Sequence, residues 1–279
     1  MAGDFAGRAR IAAGALALAA LVLLGTGCSK LKARDNLNKG VQAFKGAKYP
    51  EAVDDFKRAT DLDPDFPVAR LYLAMAYMSQ WIPGADSPEN NRYAQSALDQ
   101  FNKVLDAKPD LDSQKIATAS IASIYFNQKQ FDKAIEWNRK AIALDPNAKD
   151  AFYTLGVIAW TEFITPDREA RIKSGMKVDE QSPIKDKKLK AELKAKWDPI
   201  LDQGIQDEKK ALEIDPQYDD AMAYMNLLIR YKADMADTQE EFRKQWDLAD
   251  TWMQKTLDTR KVKAEKKASD DAKGIKTKQ

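Results

Sequence analysis

Residues 40–64 read GVQAFKGAKYPEAVDDFKRATDLDP, and this stretch decides the fold. Small and aromatic residues stand at fixed distances before its final proline, namely Ala59, Phe56, Ala52, Tyr49 and Gly40. Similar series precede the prolines of three further dipeptides, Lys108-Pro109, Asp145-Pro146 and Asp215-Pro216. A repeat of about 34 residues built from two helices cannot bury its apolar face alone. The pattern therefore predicts an all-α solenoid of stacked helix pairs.

This spacing resembles the tetratricopeptide repeat (TPR), in which small residues stand where two helices touch and a proline closes the repeat. The resemblance implies helix pairs over 33–66, 67–110, 115–148, 149–218 and 219–257, the last of them degraded. An insertion at 81–88 interrupts the second repeat. A longer one at 166–199 interrupts the fourth, and short helices are expected in it over 166–171 and 184–197. We predict one continuous solenoid domain over 36–257.

The N-terminus has the layout of a secretory signal. Residues 1–10 carry Arg8 and Arg10, 11–24 form an apolar run, and 25–27 are small residues suited to cleavage. The run is shorter than the about 20 residues that a spanning helix needs. Cys28, the only cysteine, follows directly, and this arrangement resembles a bacterial lipoprotein signal. The resemblance implies cleavage before Cys28, acylation of its thiol by chains such as palmitate, and a short tether over 28–35. It also implies a location on the outer membrane facing the periplasm. The alternatives are a secreted protein or an uncleaved anchor.

Charge is distributed unevenly along the chain. The formal net charge is only +2, but basic residues outnumber acidic ones in the last segment, 258–279. We expect this tail to be solvated and disordered. The alternative is a segment that lies on anionic lipid or on a polyanionic polymer of the envelope.

In the TPR family the first helix of each pair lines a concave groove in which ligand peptides usually lie. The matching positions in this sequence predict a groove of Leu37, Val41, Phe44, Leu71, Met75, Met78, Phe126, Tyr153, Val157, Trp160, Leu227 and Arg230. Such a surface suits an amphipathic helix or an extended apolar segment of a partner protein. One alternative stays open, that the insertion 166–199 or the last helix, with Trp246 and Trp252, covers these positions.

The composition argues against an enzyme. The chain has no histidine, which removes the commonest general base, and Cys28 is taken by the predicted anchor. Neither a GxxxxGK[ST] nor a functional GxGxxG stretch is present. Adjacent carboxylates such as Asp219 and Asp220 point in different directions on a helix. We therefore expect no metal, no cofactor, no small-molecule substrate and no nucleic acid.

These observations together predict a lipid-anchored scaffold that binds protein partners during assembly of the cell envelope. Its plan is similar to that of lipoproteins that serve outer-membrane protein assembly and pilus secretin assembly. Two alternatives are a structural link between membrane and peptidoglycan and a regulatory subunit of an envelope enzyme.

Overall fold

The computed structural model describes residues 28–276, with only the backbone described for residues 272–276. The predicted signal segment, 1–27, lies outside the described residues. Between residues 28 and 276 the chain forms ten helices and no strand, which confirms the predicted all-α fold. The helices are α1 (28–45), α2 (Tyr49–Leu62), α3 (Pro67–Gln80), α4 (Pro88–Asp106), α5 (Leu111–Asn127), α6 (Phe131–Leu144), α7 (Lys149–Lys173), α8 (Lys187–Ile214), α9 (Asp219–Asp234) and α10 (Gln239–Lys276).

The helix ends follow from local chemistry. Helices α2, α6 and α8 end two residues before the prolines of the repeat pattern, because proline lacks a backbone N–H and disfavours continuation of a helix. Helix α4 ends three residues before its proline, with Lys108 in the left-handed region at a φ of 48°. Three helices begin at side-chain caps: the carboxylates of Asp110 and Asp186 and the hydroxyl of Ser87 accept hydrogen bonds from backbone N–H groups.

The small residues of the pattern lie where helices touch. A Cβ atom added to Gly40 would come within 2.5 Å of Cε1 of Phe56, so only glycine fits beside that ring. Phe56, Ala52 and Ala59 are fully buried. The same positions of the next repeat, Ala97 and Phe101, are fully buried as well. The predicted role of these residues at helix contacts is thus confirmed in these two repeats.

A boundary between Lys129 and Gln130 divides the chain into two compact units. In the first unit α2 packs on α3, α3 on α4, and α4 on α5. In the second unit α6 packs on α7, α7 on α8 and α9, α8 on α9, and α9 on α10. The single continuous domain over 36–257 stays a prediction.

The insertion predicted at 166–199 lengthens two helices instead of forming separate short ones. Helix α7 continues through Pro166 to Lys173, and α8 begins at Lys187 and passes through Pro199. The short helices expected over 166–171 and 184–197 are therefore wrong in their boundaries. Packing explains the difference, because the rings of Phe163 on α7 and Trp197 on α8 meet with centroids 5.5 Å apart. This contact belongs to a buried cluster that outweighs the lost backbone hydrogen bond at each proline.

Both ends of the described chain are more helical than expected. Residues 28–35, predicted as a tether, form the start of α1. The tail predicted to be disordered is helical to Lys276, as part of α10. Arg260 explains part of this order, since its guanidinium pairs with Asp219 at 2.8 Å and with Asp220 at 2.9 Å. Beyond it the segment is rich in lysine and alanine, which favour helix.

None of the helices among residues 28–276 combines the length and the apolar character that a bilayer crossing requires.

Candidate functional site

The groove positions predicted in the first unit serve largely as packing residues. Leu71 is only 7% exposed, so its assignment to a groove surface is wrong. It faces inward because α3 is covered by neighbouring helices on more than one side. The remaining predicted positions in this unit are half-buried: Leu37, Val41, Phe44, Met75, Met78 and Phe126. The first three pack against the core cluster around Phe56.

The second unit retains more of the predicted surface. Val157 is 6% exposed and belongs to the core, so its assignment is also wrong. Val157 lies on a side of α7 that faces the interior, because α7 packs on both α8 and α9. Tyr153, Trp160, Leu227 and Arg230 are half-buried and keep part of their side chains at the surface.

Four of the partly exposed rings on this surface form a continuous series, which we name the aromatic row: Tyr218, Tyr153, Tyr224 and Trp160. Ring centroids lie 5.1 Å apart for Tyr218 and Tyr153, and 5.4 Å apart for Tyr153 and Tyr224. Tyr224 meets Trp160 edge to face, again at 5.4 Å. Burial raises the pKa of the Tyr153 and Tyr224 phenols above their ordinary value. The row is therefore uncharged at neutral pH and offers rigid aromatic contact area.

A buried carboxyl group lies next to this row. Glu208 on α8 is fully buried, and a Cβ added to Gly156 would come within 2.2 Å of its Oε1 atom. Neither carboxylate oxygen accepts a hydrogen bond from any residue in 28–276. Burial, with a smaller contribution from the charge of Asp207, raises the pKa of Glu208 to about 10. The side chain is therefore a neutral acid at physiological pH.

A cavity of about 250 Å³ lies between α7, α9 and α10 in the same unit. We call it the Asp167 pocket. Two of the predicted groove residues, Leu227 and Arg230, line this pocket. Its wall also includes Asp167, Arg168, Tyr231 and Trp246.

A buried ionic cluster forms one side of the Asp167 pocket. The guanidinium of Arg171 donates to Oδ2 of Asp167 at 3.2 Å and pairs with Asp234. It also donates to the backbone carbonyl of Glu180 at 2.8 Å, which holds the loop after α7 in place. Burial raises the pKa of Asp167, and it raises the pKa of Asp234 to about 7, although Arg171 opposes the shift.

The last helix covers part of the pocket wall. The guanidinium of Arg230 lies over the ring of Trp246 on α10, 4.1 Å from its centroid, and pairs with Asp250. At Arg230 the structure therefore favours the alternative in which the last helix, α10, covers a predicted groove position. Contact of Arg230 with α10 still leaves the cavity beside it open.

Among residues 28–276 no three Cys, Asp or Glu side chains converge in a metal-binding arrangement, and the sequence has no histidine. Cys28, the predicted lipidation site, is a free cysteine exposed at the start of α1.

Sequence reasoning missed several residues of this surface. Tyr224 and Tyr231 are spaced seven residues apart on α9, so a search along one helix face from Leu227 would have found them. Glu208 also has a signal, because it stands eight residues before Pro216, as Phe56 stands eight before Pro64. In the cluster of Asp167, Arg171 and Asp234, only the i,i+4 pair of Asp167 and Arg171 has a local signal, because Asp234 lies on α9, more than sixty residues away.

Comparison with known proteins identifies the class of fold. A family model described as a TPR repeat matches residues 122–161. Among solved structures, "MamA 41-end from Desulfovibrio magneticus RS-1" aligns with a TM-score of 0.56 and 16% identity, covering 83% of this chain and 96% of that one. "Crystal structure of MamA" aligns with a TM-score of 0.53 and 18% identity, covering 81% and 96%. No curated protein sequence matches the chain. The chain thus has a TPR-type fold of helical hairpins, and identities this low establish likeness of fold alone.

Proposed function

We propose that the protein is a TPR scaffold that binds a segment of a partner protein on the surface shared by α7 and α9. The aromatic row carries this proposal. Its four rings contact one another while remaining partly exposed, on the first helices of two neighbouring repeats. Partly exposed aromatic side chains in a contiguous series mark interaction sites more often than isolated ones do.

The row suits an apolar segment, either an amphipathic helix or an extended chain. Tyrosine and tryptophan contribute large contact areas with few rotatable bonds, so little side-chain entropy is lost on binding. Their phenol and indole groups can in addition form hydrogen bonds with a partner's backbone.

We further propose that the protein is anchored by a lipid on Cys28 and acts in the cell envelope, in assembly of outer-membrane proteins or of a pilus secretin. Support comes from the apolar run and small residues that precede Cys28 in the sequence. The exposed thiol is accessible for acylation. Each buried methylene of an acyl chain would add about 0.8 kcal/mol to membrane binding.

Site-specific crosslinking tests the partner-binding proposal. A photoreactive amino acid replaces Leu227 on the wall of the Asp167 pocket, and a matched control replaces Lys209, which is exposed on α8. We expect adducts from position 227, mapping to one continuous apolar segment of a protein, and none to that segment from position 209. Exclusively intramolecular links from position 227 to α10 would contradict the proposal.

A further inference from the structure

One oxygen atom at the Asp167 pocket lacks a partner. Asp167 is only 2% exposed, and its Oδ2 accepts from Arg171 at 3.2 Å. Its Oδ1 accepts no hydrogen bond from any residue that the structure describes, although the residue lines the cavity. A buried acceptor without a donor costs free energy, which a ligand that donates a hydrogen bond would recover.

The charges around this oxygen favour a cation. Asp167 and Asp234 both face the single guanidinium of Arg171, so two acidic side chains share one positive charge. Arg230, on the pocket wall, is already paired with Asp250. Arg168 lies exposed at the rim, where solvent screens its charge.

Size and wall chemistry indicate what kind of cation fits. A cavity of about 250 Å³ is smaller than the roughly 300–1,000 Å³ of small-molecule sites, so it suits one long side chain. Leu227 and Tyr231 offer apolar surface to an aliphatic stem. The Trp246 ring already holds one guanidinium, that of Arg230, at 4.1 Å.

We infer that the Asp167 pocket receives the lysine or arginine side chain of the bound partner segment, whose apolar part lies on the aromatic row. This assignment rests on the proposed function and adds a requirement for a basic residue in the partner. The cationic head would lie beside the Asp167 side chain, and the aliphatic stem would lie between Leu227 and Tyr231.

Matched peptides test the inference on the purified protein. The probes are acetylated, amidated pentapeptides Ala-Ala-X-Ala-Ala with arginine, lysine, citrulline or norleucine at X. Citrulline has the shape of arginine without its charge. Binding is followed by the NMR signal of the Trp246 indole, assigned with Trp246→Phe. We expect the arginine peptide to bind about fivefold more tightly than the citrulline peptide, and the lysine peptide more tightly than the norleucine peptide.

Two variants locate the binding. Asp167→Asn keeps the shape and removes the charge, so it should abolish the preference for arginine over citrulline. Asp258→Asn, at an exposed position of α10, should leave the preference unchanged. If Asp167→Asn does not fold, Asp179→Asn at the exposed rim of the same pocket should still halve the preference. Equal binding of arginine and citrulline peptides to the unaltered protein would overturn the inference. A preference unchanged by Asp167→Asn or, where that variant does not fold, by Asp179→Asn would overturn it too.

Failure of this inference is distinguishable from failure of the proposed function. An apolar segment crosslinked at position 227 together with equal binding of the two peptides would retain the scaffold and reject the basic residue. A clear preference for arginine without any crosslinked segment would reject the scaffold proposal while leaving a cation site.

Discussion

Replacing Glu208 by glutamine should stabilise the protein at neutral and alkaline pH. The ionised form of this carboxyl is excluded from the interior, so folding at neutral pH requires it to take up a proton. Its pKa is raised from 4.5 to about 10 in the folded state, chiefly by burial. The contribution of such a group to the free energy of unfolding is fully present below pH 4.5 and is lost progressively as the pH rises towards 10.

The magnitude follows from the pKa values. At pH 7.5 the pH is about three units above the ordinary pKa, and each unit corresponds to about 1.36 kcal/mol. Proton uptake therefore costs up to about 4 kcal/mol, which Glu208→Gln would avoid because it is neutral in both states. We expect the variant to be about 2–4 kcal/mol more stable at pH 7.5 and nearly equal to the unaltered protein at pH 4.5.

Urea unfolding monitored by circular dichroism at the two pH values measures this difference. The matched control is Glu213→Gln on the same helix, an exposed residue paired with Lys210. Its effect should be below about 0.5 kcal/mol at both pH values, as for most surface substitutions. The reasoning is refuted if Glu208→Gln has the same effect at pH 4.5 and 7.5, or if it lowers stability at pH 7.5.

Three further predictions concern the anchor and the packing. Cys28→Ala should move the protein from the membrane fraction to the soluble periplasm, and retention in membranes would contradict lipidation. Gly40→Ala should lower the unfolding free energy by about 1–3 kcal/mol because its Cβ would overlap Phe56, whereas Gly46→Ala, whose Cβ meets nothing closer than 3.4 Å, should change it little. Arg171→Leu should cost about 3–5 kcal/mol at pH 8 because it leaves two buried carboxylates unpaired. That loss should shrink at pH 5, and equal losses at both pH values would argue against the ionic cluster.

Most of the fold could be predicted because its signals are local. A proline that stops a helix acts within a few residues, and a glycine under an aromatic ring is visible as a fixed spacing. The pair Gly40 and Phe56 is the clearest case, since both residues lie in one repeat. Pro166 and Pro199 were predicted to interrupt the helices, but α7 and α8 continue through them. Tertiary packing of the two lengthened helices overrides the low helix propensity of proline at these positions.

The candidate site could be predicted only in part. The resemblance to the TPR family identified Tyr153, Trp160, Leu227 and Arg230 as groove positions, but it could not show that Val157 on α7 is buried in the core. Burial of that kind depends on how many neighbours a helix has. The two acidic partners of Arg171, Asp167 and Asp234, lie four residues and more than sixty residues away, so the ionic cluster is complete only once α7 and α9 are packed together.

The most direct test of the account is the affinity of the crosslinked partner segment for a protein with an altered aromatic row. Tyr224 contacts two rings of the row, and removing such an anchor typically costs about 2 kcal/mol of binding free energy, or about 30-fold in affinity. Tyr93→Ala, at a half-buried position on α4, is the control. Isothermal titration should show about 30-fold weaker binding for folded Tyr224→Ala and unchanged binding for Tyr93→Ala. Equal affinity of the two variants would contradict partner binding on the α7 and α9 surface.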